Sequence, residues 1–75
     1  MELQELIRVF NEVLNQDRKL ELTSETDFKE LDEWSSLTAF NIVERIETKF
    51  DVRLRGIELR RCTTIEDLLN LINTK

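Results

Sequence analysis

Apolar residues recur at i, i+3, i+4 and i+7 in three stretches of the chain, the spacing that puts them on one side of an α-helix. The first stretch holds Leu3, Leu6, Ile7 and Phe10, extended by Val13 and Leu14. The second holds Ala39, Ile42, Val43 and Ile46, extended by Phe50, and the third holds Ile65, Leu68, Leu69 and Ile72. Such a stripe is satisfied only against another stripe, so the three together predict an all-α helical bundle. Ile57 and Leu59, following Gly56, predict a short fourth helix between the second and third stripes. A long connection, roughly residues 16–34, joins the first two helices. Connections of that length are uncommon in compact bundles unless they pack something of their own. Phe28, Leu31 and Trp34 recur every three residues within it, which predicts that it folds back through a short helical turn.

The helix ends carry their own signals. Ser35 and Ser36 precede the second stripe, and either can cap it by accepting a backbone N–H. Thr63 with Glu66 three positions later fits a capping box ahead of the third stripe, with Thr64 as the alternative cap. Proline is absent and there is one glycine, so little interrupts the helices. With no tyrosine and no alternating run of β-branched residues, strands have little support. At 75 residues the chain is one domain, 1–75, near the lower size limit for a self-sufficient core and too small for a deep catalytic cleft beside it.

Charge narrows the function classes. The net charge is −5, which disfavours a general nucleic-acid binder, since neutralising phosphates takes excess lysine and arginine. Residues 1–34 carry −6 and residues 35–75 carry +1. Arg53, Arg55, Arg60 and Arg61 concentrate the basic excess, either as a solvated loop or as a docking patch. One cysteine and no histidine exclude an internal disulfide, a zinc site of the usual ligands and any Cys–His or Ser–His nucleophile pair. Cys62 reads as a small, semi-buried apolar residue. The acidic start, Met1 to Glu5, does not resemble a signal peptide, and no apolar run reaches membrane-spanning length. These features predict a soluble cytoplasmic protein that works as a monomer, without a membrane, a metal or catalytic residues of its own.

The second helix carries the candidate site. At about 100° per residue its core residues fall within one arc, whereas Leu37 and Phe40 lie on the flank with Glu44 and Glu47. Two placements fit this pattern. Leu37 and Phe40 can shield the long loop, packing on Trp34, or they can form an exposed surface for other proteins. Ser36 stands at the helix N-terminus, where free N–H groups and the helix dipole favour an attached anion, although a serine there also serves as a simple cap.

The stretch Trp34-Ser35-Ser36-Leu37, leading into a helix that ends Glu47-Thr48-Lys49-Phe50-Asp51-Val52, resembles the acyl carrier protein family. Asp27-Phe28-Lys29-Glu30-Leu31 is similar to that family's Phe-x-x-acidic-Leu loop segment, with the acid one position early. Cys62-Thr63-Thr64-Ile65-Glu66-Asp67-Leu68 is similar to the start of its last helix, so the likeness runs in order along essentially the whole chain. The resemblance implies a four-helix bundle of acyl-carrier type: three longer helices, one short one and a long loop between the first two. It implies a 4′-phosphopantetheine arm on Ser36, taken from coenzyme A by a separate phosphopantetheinyl transferase that uses magnesium. The arm's thiol would carry an acyl cargo as a thioester. Acyl-loading and acyl-processing enzymes would dock on the second helix through Leu37, Phe40, Glu44 and Glu47.

Two departures qualify that expectation. Ser35 stands where the family has aspartate, which leaves Ser35 as a less favoured attachment site and removes a carboxylate handle for the transferase. Arginines follow the second helix where fatty-acid carriers are acidic, so Arg60 and Arg61 are expected to steer the chain away from general fatty-acid enzymes and toward a specialised fatty-acid or polyketide-type pathway. An aminoacyl or peptidyl carrier, or an unmodified adaptor of the same fold that only binds partners, remains an alternative.

Overall fold

The computed structural model describes residues 1–14 and 21–75. Helix α1 spans Leu3–Leu14, a 3-10 turn spans Phe28–Glu30, and α2, α3 and α4 span Ser36–Phe50, Gly56–Arg61 and Ile65–Asn73. The all-α expectation holds, with three longer helices and a short α3 where Ile57 and Leu59 placed it. Of the long connection, residues 15–20 lie outside the described residues, and Phe28 opens the helical turn expected in the remainder.

Helix α1 packs against both α2 and α4, and α3 packs against α2. Leu6, Val9, Phe10, Ile42, Ile46, Ile65 and Leu68 lose all contact with solvent where these faces meet. Val9 falls outside the apolar template read from Leu3, yet it is as buried as Phe10. Phe28 reaches the same core from the loop. Its ring lies 5.4 Å from that of Phe10 and 5.1 Å from that of Trp34, the latter edge-on. The loop thus completes a column of three aromatic rings with Phe10, each contact adding about 0.5–1.5 kcal/mol beyond simple burial.

The start of α4 is capped by Thr64 and Asp67, which corrects the Thr63–Glu66 box in favour of the alternative one residue on. Thr64 Oγ1 accepts the Asp67 N–H at 3.1 Å, and the Asp67 carboxylate accepts the N–H groups of Thr64 at 3.1 Å and Thr63 at 3.0 Å. The loop decides the register. The N–H of Ile65 donates to the Thr26 carbonyl at 3.1 Å and that of Glu66 to the Ser24 carbonyl at 2.9 Å. These loop carbonyls satisfy two of the free donors that every helix start exposes. At the other end of the chain, Asn73 accepts from the Met1 ammonium at 3.0 Å and donates to the Met1 carbonyl at 3.2 Å, joining the start of α1 to the end of α4.

Two devices hold the connection after α2. Asp51 ends the helix in the left-handed region, φ 55°, a conformation that a short polar side chain tolerates better than most. Glu47 then accepts the Leu54 N–H at 2.9 Å, and Leu54 is buried although it stands between two exposed arginines. Cys62 is apolar in role, as expected, but buried rather than semi-buried; its thiol donates to the Glu58 carbonyl at 3.5 Å, and desolvation pushes its pKa up. No helix among the described residues is long and apolar enough to cross a membrane.

Candidate functional site

The two adjacent serines at the start of α2 have different roles. Ser35 is the cap residue, extended at φ −156° and ψ 174°, and its hydroxyl oxygen accepts the Thr38 N–H at 3.2 Å. The Thr38 hydroxyl donates its only proton to the Glu33 carbonyl at 3.1 Å. The 3.0 Å contact between Ser35 Oγ and Thr38 Oγ1 therefore uses the Ser35 proton, because a hydroxyl has one to give. Ser35 is thus committed both as acceptor and as donor.

Ser36 is free of this network. It is the first residue of α2, exposed, and its hydroxyl makes no hydrogen bond among the described residues. It sits at the positive end of a helix of 15 residues whose first turn contains no acid. A phosphodiester on its oxygen would meet a favourable helix field and no carboxylate in that first turn.

Beside Ser36 runs a cleft of about 910 Å³ between α2, α3 and the loop. Trp34, Ala39, Phe40, Val43 and Leu59 supply its apolar walls. Gly56 borders it and leaves its side open, since a Cβ there would meet nothing within 4 Å. The charged residues that line it are Lys29 and Arg60, both cations. The Lys29 ammonium donates to the Arg60 backbone carbonyl, closing an otherwise unsatisfied acceptor in the last turn of α3, and lies 6.0 Å from the centre of the Phe28 ring. The Arg60 guanidinium itself has no acidic partner among the described residues.

The remaining candidates divide. Leu37 and Phe40 are 69% and 61% exposed, so neither shields the loop, and the Trp34 ring packs on Phe28. Leaving such side chains mostly bare forgoes part of the roughly 1.5–3 kcal/mol that full burial gives each. Ile57, exposed at 49%, adds an apolar residue on α3. Glu44 is exposed and borders a separate hollow with Glu12 and Arg45, which are ion-paired at 2.9 Å. Glu47 is half-buried and engaged with Leu54. Arg60 reaches the cleft beside Ser36, whereas Arg61 lines a different hollow with Glu58 and Asp67. The sequence pattern assigned no site role to Lys29 and Trp34; only the fold of the loop brings them to the cleft.

A 4′-phosphopantetheine arm needs an accessible hydroxyl and room beside it, and Ser36 with its cleft offers both. A family model described as "Phosphopantetheine attachment site" matches residues 4–72. The solution NMR structure of a holo acyl carrier protein from Geobacter metallireducens superposes with a TM-score of 0.81 at 29% sequence identity, covering 97% of this chain and 83% of that one. No curated protein sequence matches the chain. With the match running from α1 to the end of α4, the chain belongs to the phosphopantetheine-attachment family, has the acyl carrier protein fold, and has as its cofactor the family's covalent 4′-phosphopantetheine.

Proposed function

We propose that Ser36 is the attachment residue and that the chain acts as an acyl carrier, a carrier rather than an enzyme. The observation that carries this reading is the division of labour between the serines: Ser35 spends its hydroxyl on the cap, and Ser36 keeps its own available. A separate transferase would move the arm from coenzyme A onto Ser36 Oγ: the Oγ–P bond forms as the P–O bond of the pyrophosphate breaks, adenosine 3′,5′-bisphosphate leaves, and the Ser36 hydroxyl proton passes to a base of the transferase. The arm supplies a terminal thiol that holds an acyl group as a thioester. The protein's own part is to present the arm at the mouth of an apolar cleft and to offer Leu37 and Phe40 as the surface on which acyl-loading and acyl-processing enzymes dock.

Glu44 and Arg60, of opposite charge, adjoin this surface, which supports a dedicated set of partners in a specialised fatty-acid or polyketide-type pathway. Glu47 and Arg61 do not line the cleft and would act at the rim of such a contact. Incubation with an acyl-coenzyme A, magnesium and a broad-specificity transferase tests the carrier role. The expected product has the mass of the acyl-phosphopantetheine form and returns to the mass of the phosphopantetheine form with hydroxylamine, as a thioester must. A chain that stays unmodified with that transferase and with the one from its own host is an adaptor of the carrier fold.

A further inference from the structure

Arg60 is the unusual member of the cleft. Apart from Ser35 and Ser36 its uncharged lining is apolar, its other cation is committed through Lys29 Nζ to a backbone carbonyl, and no acid lines it. The Lys29 bond fixes the backbone of Arg60 itself, so the loop positions the very residue whose guanidinium has no acidic partner among the described residues. Arg60 is an exposed residue of the cleft lining, and a planar fork of donors is suited to a bidentate anionic oxygen group; such charge-assisted bonds are about twice as strong as neutral ones.

Resting on the Ser36 reading, we infer that Arg60 is an anion-binding residue of this cleft and takes an anionic oxygen group that the arm brings there. Two sources have this chemistry: the phosphodiester on Ser36 and a carboxylate at the far end of an acyl cargo. The residue acts on the position of the arm or its load and does no chemistry on the thioester. Arg61, next in sequence but in another hollow, has no such role.

The experiment follows the Arg60 side-chain Nε–Hε signal and the phosphorus resonance of the arm by NMR. Four forms are compared: unmodified, arm-bearing, butyryl-loaded and glutaryl-loaded. An Arg60 signal that moves on adding the arm, together with a phosphorus line displaced in Arg60→Gln but not in Arg61→Gln, identifies the phosphodiester as the partner. An Arg60 signal that moves only in the glutaryl form, and a glutaryl carboxylate carbon displaced by Arg60→Gln, identifies the cargo carboxylate. An Arg60 signal that moves no more than that of Arg61 in every form overturns the inference. Mass spectrometry of the same samples keeps the two readings apart. A chain that gains no arm, or gains it in Ser36→Ala, overturns the attachment site and this inference with it, whereas an arm on Ser36 with a silent Arg60 overturns only the latter.

Discussion

Ser35 and Thr38 form a closed pair at the start of α2, in which the Ser35 oxygen accepts the Thr38 N–H at 3.2 Å and its proton goes to the Thr38 hydroxyl. Removing that pair by Ser35→Ala leaves a helix N–H without its cap and is expected to lower stability by about 1 kcal/mol in urea denaturation. Ser35→Asp, which restores the family's residue, keeps a capping acceptor and is expected to hold stability near the wild-type value. It also restores the carboxylate next to Ser36, so modification by a broad-specificity transferase is expected to be faster than in the parent chain.

Glu47 has a structural duty that competes with the docking role proposed for it. Its carboxylate accepts the Leu54 N–H and so holds a buried leucine between exposed arginines. Glu47→Ala is expected to destabilise the fold by about 1–2 kcal/mol, since a partly buried donor loses a charged acceptor. Glu44→Ala, at an exposed position, is expected to stay within about 0.5 kcal/mol. Equal midpoints for the two variants in denaturant would remove the structural role assigned to Glu47.

The loop aromatics and the helix-face aromatic should respond oppositely to truncation. Phe28→Ala empties the ring position between Phe10 and Trp34 and is expected to cost about 3–5 kcal/mol. Phe40→Ala removes a ring that is 61% exposed and is expected to leave the melting temperature nearly unchanged while weakening partner-dependent acyl transfer. A large stability loss from Phe40→Ala would mean that its face is core and not a docking surface.

Acid should weaken the fold through two identified carboxylates. N–H donors from Thr64 and Thr63 hold the Asp67 carboxyl below the usual range, and Lys75 at 2.8 Å with the Arg55 N–H does the same for Glu58. A carboxyl with a depressed folded-state pKa contributes its stability fully above its unfolded pKa and loses it as pH falls through the folded value. Wild type is therefore expected to exceed Asp67→Asn in stability at about pH 7, with the difference closing below the ordinary carboxylate range. Urea titrations across that interval check the sign; a difference that widened toward acid would contradict it.

The helices were legible because α1, α2 and α4 each repeat an apolar period that ordinary bundle packing requires. What was not legible depended on contacts distant in sequence. Thr63–Glu66 fits the usual capping box, with Thr64 as the alternative cap; the observed start at Thr64 goes with Thr26 and Ser24 accepting the N–H groups of Ile65 and Glu66. Leu54 has no periodic neighbours, yet it joins the buried core, and its N–H is held by Glu47. At the candidate site, Ser36 could be singled out because Leu37 comes directly after it, but its freedom relative to Ser35 lies in the Thr38 and Glu33 geometry. Lys29 and Arg60 are 31 positions apart, so nothing in their spacing announces that they meet.

The most direct test of the carrier assignment is the intact mass of the chain after incubation with coenzyme A, magnesium and a phosphopantetheinyl transferase, with Ser35→Ala and Ser36→Ala alongside. The expected result is one phosphopantetheine increment in the parent and in Ser35→Ala, and none in Ser36→Ala. An increment that survives in Ser36→Ala, or one lost only in Ser35→Ala, would contradict the assignment of the arm to Ser36.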